Sequence, residues 1–298
     1  MQNARISNLL DIQQSLNKMS KNKFNEWLHF RNQNEFIIKE VIQRYNIKTN
    51  KLLLLGAGNG NDLPLNYIEN TFDYIEIVDI DENALNRLLS KVNNTDKFNK
   101  IICDLTGLEK DVNILNEINS TDNIHEKVSL IEKLKPNPNL SDISYDFDLV
   151  INCNFSTQLL LPILPNYGFQ SLLLGDLAIA LGNLSEQIHK KLFEQIHNHL
   201  NSNGMLIHST DTFELSKMSP AFEPILAVAG TINNTVNIDL RYLKIFMEQG
   251  LGIIGYQIPA NTFKLFEFKT LFKALWHFNN SKAYLVLLWI LKLKPVRD

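Results

Sequence analysis

Lys51-Leu52-Leu53-Leu54-Leu55-Gly56-Ala57-Gly58-Asn59-Gly60-Asn61-Asp62-Leu63-Pro64 is the stretch on which the reading of this chain turns. Its first five residues, four of them leucine, form a short apolar run suited to a strand buried in a parallel sheet. Three glycines on alternate positions come directly after it, which predicts a tight turn passing close to something. A glycine lacks Cβ, so it takes positive φ easily and lets backbone amides approach a ligand that a side chain would block.

The glycine spacing and the acids downstream of it narrow the ligand. A dinucleotide loop reads G-x-G-x-x-G and would place its third glycine at position 61, which is Asn61. Here the spacing is G-x-G-x-G. Tyr74-Ile-Glu-Ile-Val-Asp79-Ile80-Asp81 then reads as a second strand ending in acids, nineteen residues past Gly60. A carboxylate there can accept both hydroxyls of a ribose, as does the acid about 20 residues beyond a Rossmann glycine loop. Lys100-Ile-Ile-Cys103-Asp104-Leu105 reads as a third strand with a terminal acid, and Tyr145-Asp-Phe-Asp148-Leu-Val-Ile-Asn152-Cys153 as a fourth. From 51 to 104 the pattern is a βαβαβ half, whose right-handed crossovers set the strands side by side with the ligand at their carboxyl ends.

In this order the four stretches resemble the motifs of the class I S-adenosylmethionine (SAM) methyltransferases. The resemblance implies an α/β fold with a seven-stranded, mostly parallel, doubly wound sheet whose last strand is antiparallel. It also implies SAM as cofactor. The turn Gly56, Ala57, Gly58 and Gly60 would hold the methionine end. Asp79, with Asp81 in reserve and Ile80 between them, would bind the ribose, and Asp104 with Leu105 the adenine. Many members carry an acid two residues before the first glycine, where this chain has Leu54; Asp62, just past the loop, is the expected replacement. Amino-methylating members often have Asn/Asp/Ser-Pro-Pro-Tyr/Phe after the fourth strand. Here Asn152-Cys153-Asn154-Phe155 keeps the outer positions without the prolines, so that activity is not carried over. Asn152, Phe155 and Gln158 are the residues expected near the methyl group, and Asn152 is also expected at the cofactor.

Composition sets the bounds. With 298 residues, 45% of them hydrophobic, the chain can bury the core of one large domain with additions. A net charge of −3 gives no reason to expect nucleic acid. Residues 101–150 hold ten acids against four bases, and 260–298 seven bases against two acids; both read as solvated faces, with an anionic partner for the basic tail as the alternative. The two cysteines, Cys103 and Cys153, have no partner at metal-ligand spacing, and no metal site is expected. With no disulfide framework, signal-peptide pattern or apolar run of membrane-spanning length, the expected address is cytoplasmic.

Residues 1–50 predict two or three helices, with Ser20 or Asn22 as N-cap of the middle one. In the family such an extension often lies over the cofactor as a lid, and His29 and Arg31 are its polar groups expected near a substrate. The division is therefore 1–50 as helical lid and 51–298 as SAM-binding domain, with 105–146 an insertion between third and fourth strands. Further on, a helix is expected from Ser185 to about Leu200 and a fifth strand at Met205–Ser209, with His208 and Asp211 at its end. Residues 216–236 read as loop or irregular helix, 238–249 as helix and 251–256 as strand. The stretch 263–278 fits helix and strand alike, and Ala283–Leu291 reads as a terminal strand.

The function expected is methyl transfer to a small-molecule or peptide acceptor. Alternatives are a non-catalytic SAM-fold binding or regulatory subunit, or an aminopropyltransferase-type or nicotinamide enzyme. Oligomeric state leaves no mark in the sequence.

Overall fold

The computed structural model describes residues 7–156, 158–160, 175–218 and 258–294. Seven strands form one sheet: β1 (Lys51–Leu55), β2 (Tyr74–Asp79), β3 (Phe98–Ile102), β4 (Phe147–Asn152), β5 (Leu200–Ser216), β6 (Phe266–Trp276) and β7 (Lys282–Leu293). Their order is β3-β2-β1-β4-β5-β7-β6. The first five run parallel, and β7 lies antiparallel between β5 and β6. The chain winds outward from β1 to one edge and restarts at β4 toward the other. That reversal opens a crevice at the carboxyl ends of β1 and β4, where open α/β sheets bind ligands.

Strand alternation assigns the helices to the two faces. Leu52 and Leu54 share a core with Ile37, Ile38 and Val41 of α2 (Leu28–Tyr45), Ile68 of α3 (Leu65–Thr71) and Leu85 of α4 (Glu82–Leu89). Leu53 and Leu55 face the other way, onto Leu115 of α5 (Val112–Ser120), Ile131 of α6 (Ile124–Ile131) and Ile188 of α7 (Asp176–His199). All four leucines are fully buried, each worth about 1.5–3 kcal/mol. Asp148 fixes the opposite end of the same strands. Its Oδ2 accepts from the amides of Asn50 and Lys51, both at 2.9 Å, so it joins β4 to the start of β1, away from the crevice.

Several boundaries differ from the sequence reading. The N-terminal segment is α1 (Ser7–Ser20), a run of turns, then α2. Ser20 caps no middle helix; its hydroxyl donates back to the carbonyls of Leu16 and Asn17 and closes α1. The helix expected from Ser185 begins at Asp176, and the fifth strand runs from Leu200 to Ser216. The ambiguous stretch is a helical turn, Thr262–Leu265, followed by β6, because pairing with β7 supplies the backbone partners a strand needs. The insertion 105–146 is a structural layer: Leu108, Leu115, Ile118, Leu130 and Leu140 all join the core on the α7 face. The readings at 219–236, 238–249 and 251–256 lie outside the described residues. Among the described residues no helix is long and apolar enough to cross a membrane, and no group of His, Cys, Asp and Glu could hold a metal.

Candidate cofactor and acceptor site

The chain leaves β1 through Gly56 at φ 67°, Gly58 at 49° and Gly60 at 63°, the left-handed region that side chains resist. Their neighbours differ. A Cβ on Gly56 would lie within 2.8 Å of three carbons of Phe155, so turn and ring pack directly. A Cβ on Gly60 would strike Leu88 of α4, which makes Gly60 a packing position beneath the turn and not a cavity wall, contrary to the expectation.

Asp79 orders the turn from the next strand. Its Oδ2 accepts from the Gly58 amide and its Oδ1 from the Asp81 amide, both at 2.9 Å. Burial pushes its carboxyl up to about 6; the two amides pull the other way, and nearby Asp81 raises it further. Asp81 has other duties. It caps α4 through the Asn83 amide at 3.0 Å, meets Arg87 at 3.3 Å and accepts from Asn17 Nδ2 at 3.0 Å. Asp104 accepts from Thr106 N and Oγ1 on one oxygen and from the Leu108 and Glu109 amides on the other. A carboxylate has about four acceptor sites, so Asp104 is saturated by its own loop.

The N-terminal segment is tied to this turn. Asn59 Nδ2 donates to the Asn17 carbonyl at 2.7 Å and Asn61 Nδ2 to the Ser20 carbonyl at 2.6 Å. Arg31, which the sequence placed near a substrate, is buried; it donates to the Asn61 carbonyl at 2.9 Å and to that of Phe24. Asn34 Nδ2 donates to the Asp62 carbonyl at 2.9 Å.

Two cavities meet across Gly56 and Phe155, which line both together with Gln13 and Gln158. The narrow one, about 60 Å³, is walled by Asp79, Ile80, Asp104, Leu105 and Leu9 of α1. The wide one, about 570 Å³, takes in Ala57, Gly58, Asp62 and Asn154 at the turn. Asp62 Oδ2 accepts from Asn154 Nδ2 at 3.3 Å. Burial raises its pKa, opposed by that hydrogen bond and by Lys91 and Arg31. Leu54, where the family's acid is missing, is wholly buried in the core.

Besides Gly60, the predicted Asn152, His208 and His29 do not reach the cavities. Asn152 follows the face of Val150 and lies toward α7, its Nδ2 2.8 Å from Nδ1 of His208, both fully buried. Strand alternation turns the pair away from the crevice, and Asn154, at φ 51°, takes the cavity position instead. His29 is exposed on α2, 6.4 Å from the His277 ring.

The far wall of the wide cavity was missed apart from Asp211. Among the described residues it includes Trp27, Asp211, Glu214, Trp276, Phe278 and Tyr284. In β5, Asp211 pairs with Val286 but Phe213 with the adjacent Leu285, so Thr212 is one residue too many and forms a bulge. The bulge resets the alternation. Glu214 opposite Tyr284 thus shares the face of Asp211 opposite Val286, and Trp276, also paired with Tyr284, joins them. The rings pack on one another: Trp27 and Trp276 at 4.7 Å, Trp276 and Phe278 at 5.2 Å, Phe278 and Tyr284 at 5.4 Å.

A glycine turn after the central strand, with an antiparallel seventh strand inserted between the fifth and sixth, decides the fold. It is that of the class I SAM methyltransferases. The sequence matches no family model, and no curated protein is significantly similar to it. Solved structures with related folds include a SAM-dependent methyltransferase from Methanosarcina mazei (11% identity, 85% of this chain and 96% of that one, TM-score 0.43). Another, from Anabaena variabilis, has 11% identity over 95% of each chain and a TM-score of 0.42. The N-methyltransferase NodS from Bradyrhizobium japonicum, in complex with S-adenosyl-L-homocysteine (SAH), has 9% identity over 89% and 88%, TM-score 0.42. At such distances these likenesses decide nothing about chemistry.

Proposed function

We propose that the chain is a SAM-dependent methyltransferase acting on a small-molecule or peptide acceptor. One observation carries this reading: two cavities at the carboxyl ends of β1 and β4 join across Gly56 and Phe155, with Asp79 in the narrow one and Asp62 in the wide one. Such a pair suits a ligand with a nucleoside at one end and an amino-acid group at the other. The donor set fits. Asp79 keeps lone pairs for two ribose hydroxyls beyond the two amides it accepts. Ile80 and Leu105 offer apolar surface to a base, while saturated Asp104 shapes the loop beside it. Asp62 takes the ammonium in place of an acid at position 54.

Within the segment expected as a lid, α1 serves as the cover and α2 belongs to the sheet core: α1 places Leu9 and Gln13 on the narrow cavity and Leu16, Asn17 and Met19 on the wide one. When bound, the cofactor supplies an electrophilic methyl on a sulfonium. Phe155, Gln158 and Asn154 surround the junction where an acceptor atom must come in line, within about 3–3.5 Å. Transfer is direct. Burial pushes the Cys103 thiol up to about 12 and raises Cys153 well above its ordinary value, so neither relays the methyl as a thiolate.

Calorimetric and thermal-shift titrations with SAM, SAH and NAD in parallel test the reading. Binding of the first two and not the third is expected, with about 2.7 kcal/mol of added stability at 100 times the dissociation constant. A folded protein that binds none of them overturns it.

A further inference from the structure

We infer that the acceptor is a cationic amine, held with its nitrogen against Asp211 and Glu214 and its apolar body on Trp27, Trp276, Phe278 and Tyr284. The inference rests on the methyltransferase reading and names its substrate class. Three observations independent of the cofactor end carry it.

The first is the bulge at Thr212. In an unbroken strand, residues three apart face opposite sides, so Asp211 and Glu214 could not both reach the cavity. The extra residue brings both to one wall, and bulges next to sites re-aim side chains in this way.

The second is charge. The ionisable carboxylates and amines among the described lining residues are three acids, Asp62, Asp211 and Glu214, and one base, Lys23, itself paired with Glu26. With Asp62 assigned to the cofactor ammonium, the far wall keeps two carboxylates. Glu214 is fixed there by Lys282 at 2.8 Å on one oxygen and by the Tyr284 hydroxyl at 3.4 Å on the other. Burial and these two acids push the Tyr284 phenol upward, so it stays a neutral donor. With Lys282 paired to Glu214 and Lys23 to Glu26, an anionic acceptor would meet no unpaired cation among the described lining residues.

The third is the rings. Their faces carry negative electrostatic potential and attract cations, more strongly when water is excluded. Trp27 and Trp276 are nearly buried, so the surface they offer is dry.

The chemistry balances. An alkylammonium gives one proton to a wall carboxylate. Its freed lone pair forms the N–C bond as the C–S bond breaks, the sulfur keeping that electron pair as a neutral thioether. The product leaves as an N-methylammonium, and the carboxylic acid returns its proton to water.

The test titrates phenethylamine into protein saturated with SAH, with 2-phenylethanol and phenylacetate as neutral and anionic counterparts. The amine is expected to bind at least about tenfold more tightly than either, a decade being 1.4 kcal/mol. Glu214→Gln and Asp211→Asn should each remove about that factor while SAH affinity, which also reports folding, stays unchanged. Equal binding of the three probes, no amine binding by the SAH complex, or indifference to both substitutions overturns the amine assignment alone. Failure of SAH to bind brings down the methyltransferase reading and this inference with it.

Discussion

At the glycine turn the site is held by polar contacts of fixed direction: Asp79 to two amides, Asn59 and Asn61 to carbonyls of α1, and Arg31 to the turn from beneath. At the β5–β7 wall it is held by rings in contact and by strand register. Hydrogen bonds fail when a single atom is displaced, whereas packed rings can be exchanged for others of similar volume. The first end therefore suits one invariant ligand. The second can be recut for different acceptors on the same frame.

Substitutions can break this division. Trp276→Ala should have the largest effect, about 3–5 kcal/mol of stability lost in urea denaturation, since it removes a buried ring that touches Trp27, Phe30, Phe278 and Tyr284. SAH affinity of the folded variant should hold. A loss of SAH binding as great as that of the turn variants would mean the two ends are one unit. Gly56→Ala should cost about 2–4 kcal/mol, combining a left-handed φ with overlap on Phe155, and should abolish cofactor binding. Phe155→Ala should cost less in that chain than in the parent; strict additivity would show that the overlap is relieved elsewhere.

Asp62→Asn sharpens the comparison within the turn. It should weaken SAM binding by about 1.5–3 kcal/mol, measured by calorimetry, and leave the urea midpoint nearly in place. The smallest effect is that of pH. Asp79 must be ionised to accept hydroxyls from both sides, so SAH affinity should fall about tenfold for each pH unit below about 6. Asp79→Asn should flatten that slope. Because the folded pKa is raised, the stability that Asp79 contributes is full below about pH 4, the unfolded value, and is lost as pH rises through about 6.

What could be read from the sequence was what short-range pattern encodes. A leucine run, glycines beyond it and acids at strand ends are local signals, and they located β1 to β4 and named Asp79 and Asp62, both of which line the cavities. Long-range contacts were not readable. Gly56 and Gly60 look alike in the chain, yet one meets Phe155 and the other Leu88. Asn152 was misplaced because strand parity decides its face and motif position does not. Asp81 and Asp104 were expected to meet ligand, but partners from other segments or their own loop occupy them. The wall at Glu214, Trp276 and Tyr284 depends on the register of β5, β7 and β6, and the only hint of it is Thr-Asp-Thr-Phe-Glu, a strand whose polar alternation slips.

That slip has a genetic reading. Thr212 shifts the phase of everything after it in β5 by one position relative to everything before it. Gain of a single codon beside it would move Glu214 from its place opposite Tyr284 to the next position of β7, turn it out of the cavity and leave the codons for the cofactor end untouched. A descendant of this chain could thus acquire a new acceptor through one in-frame insertion, without a substitution in either core.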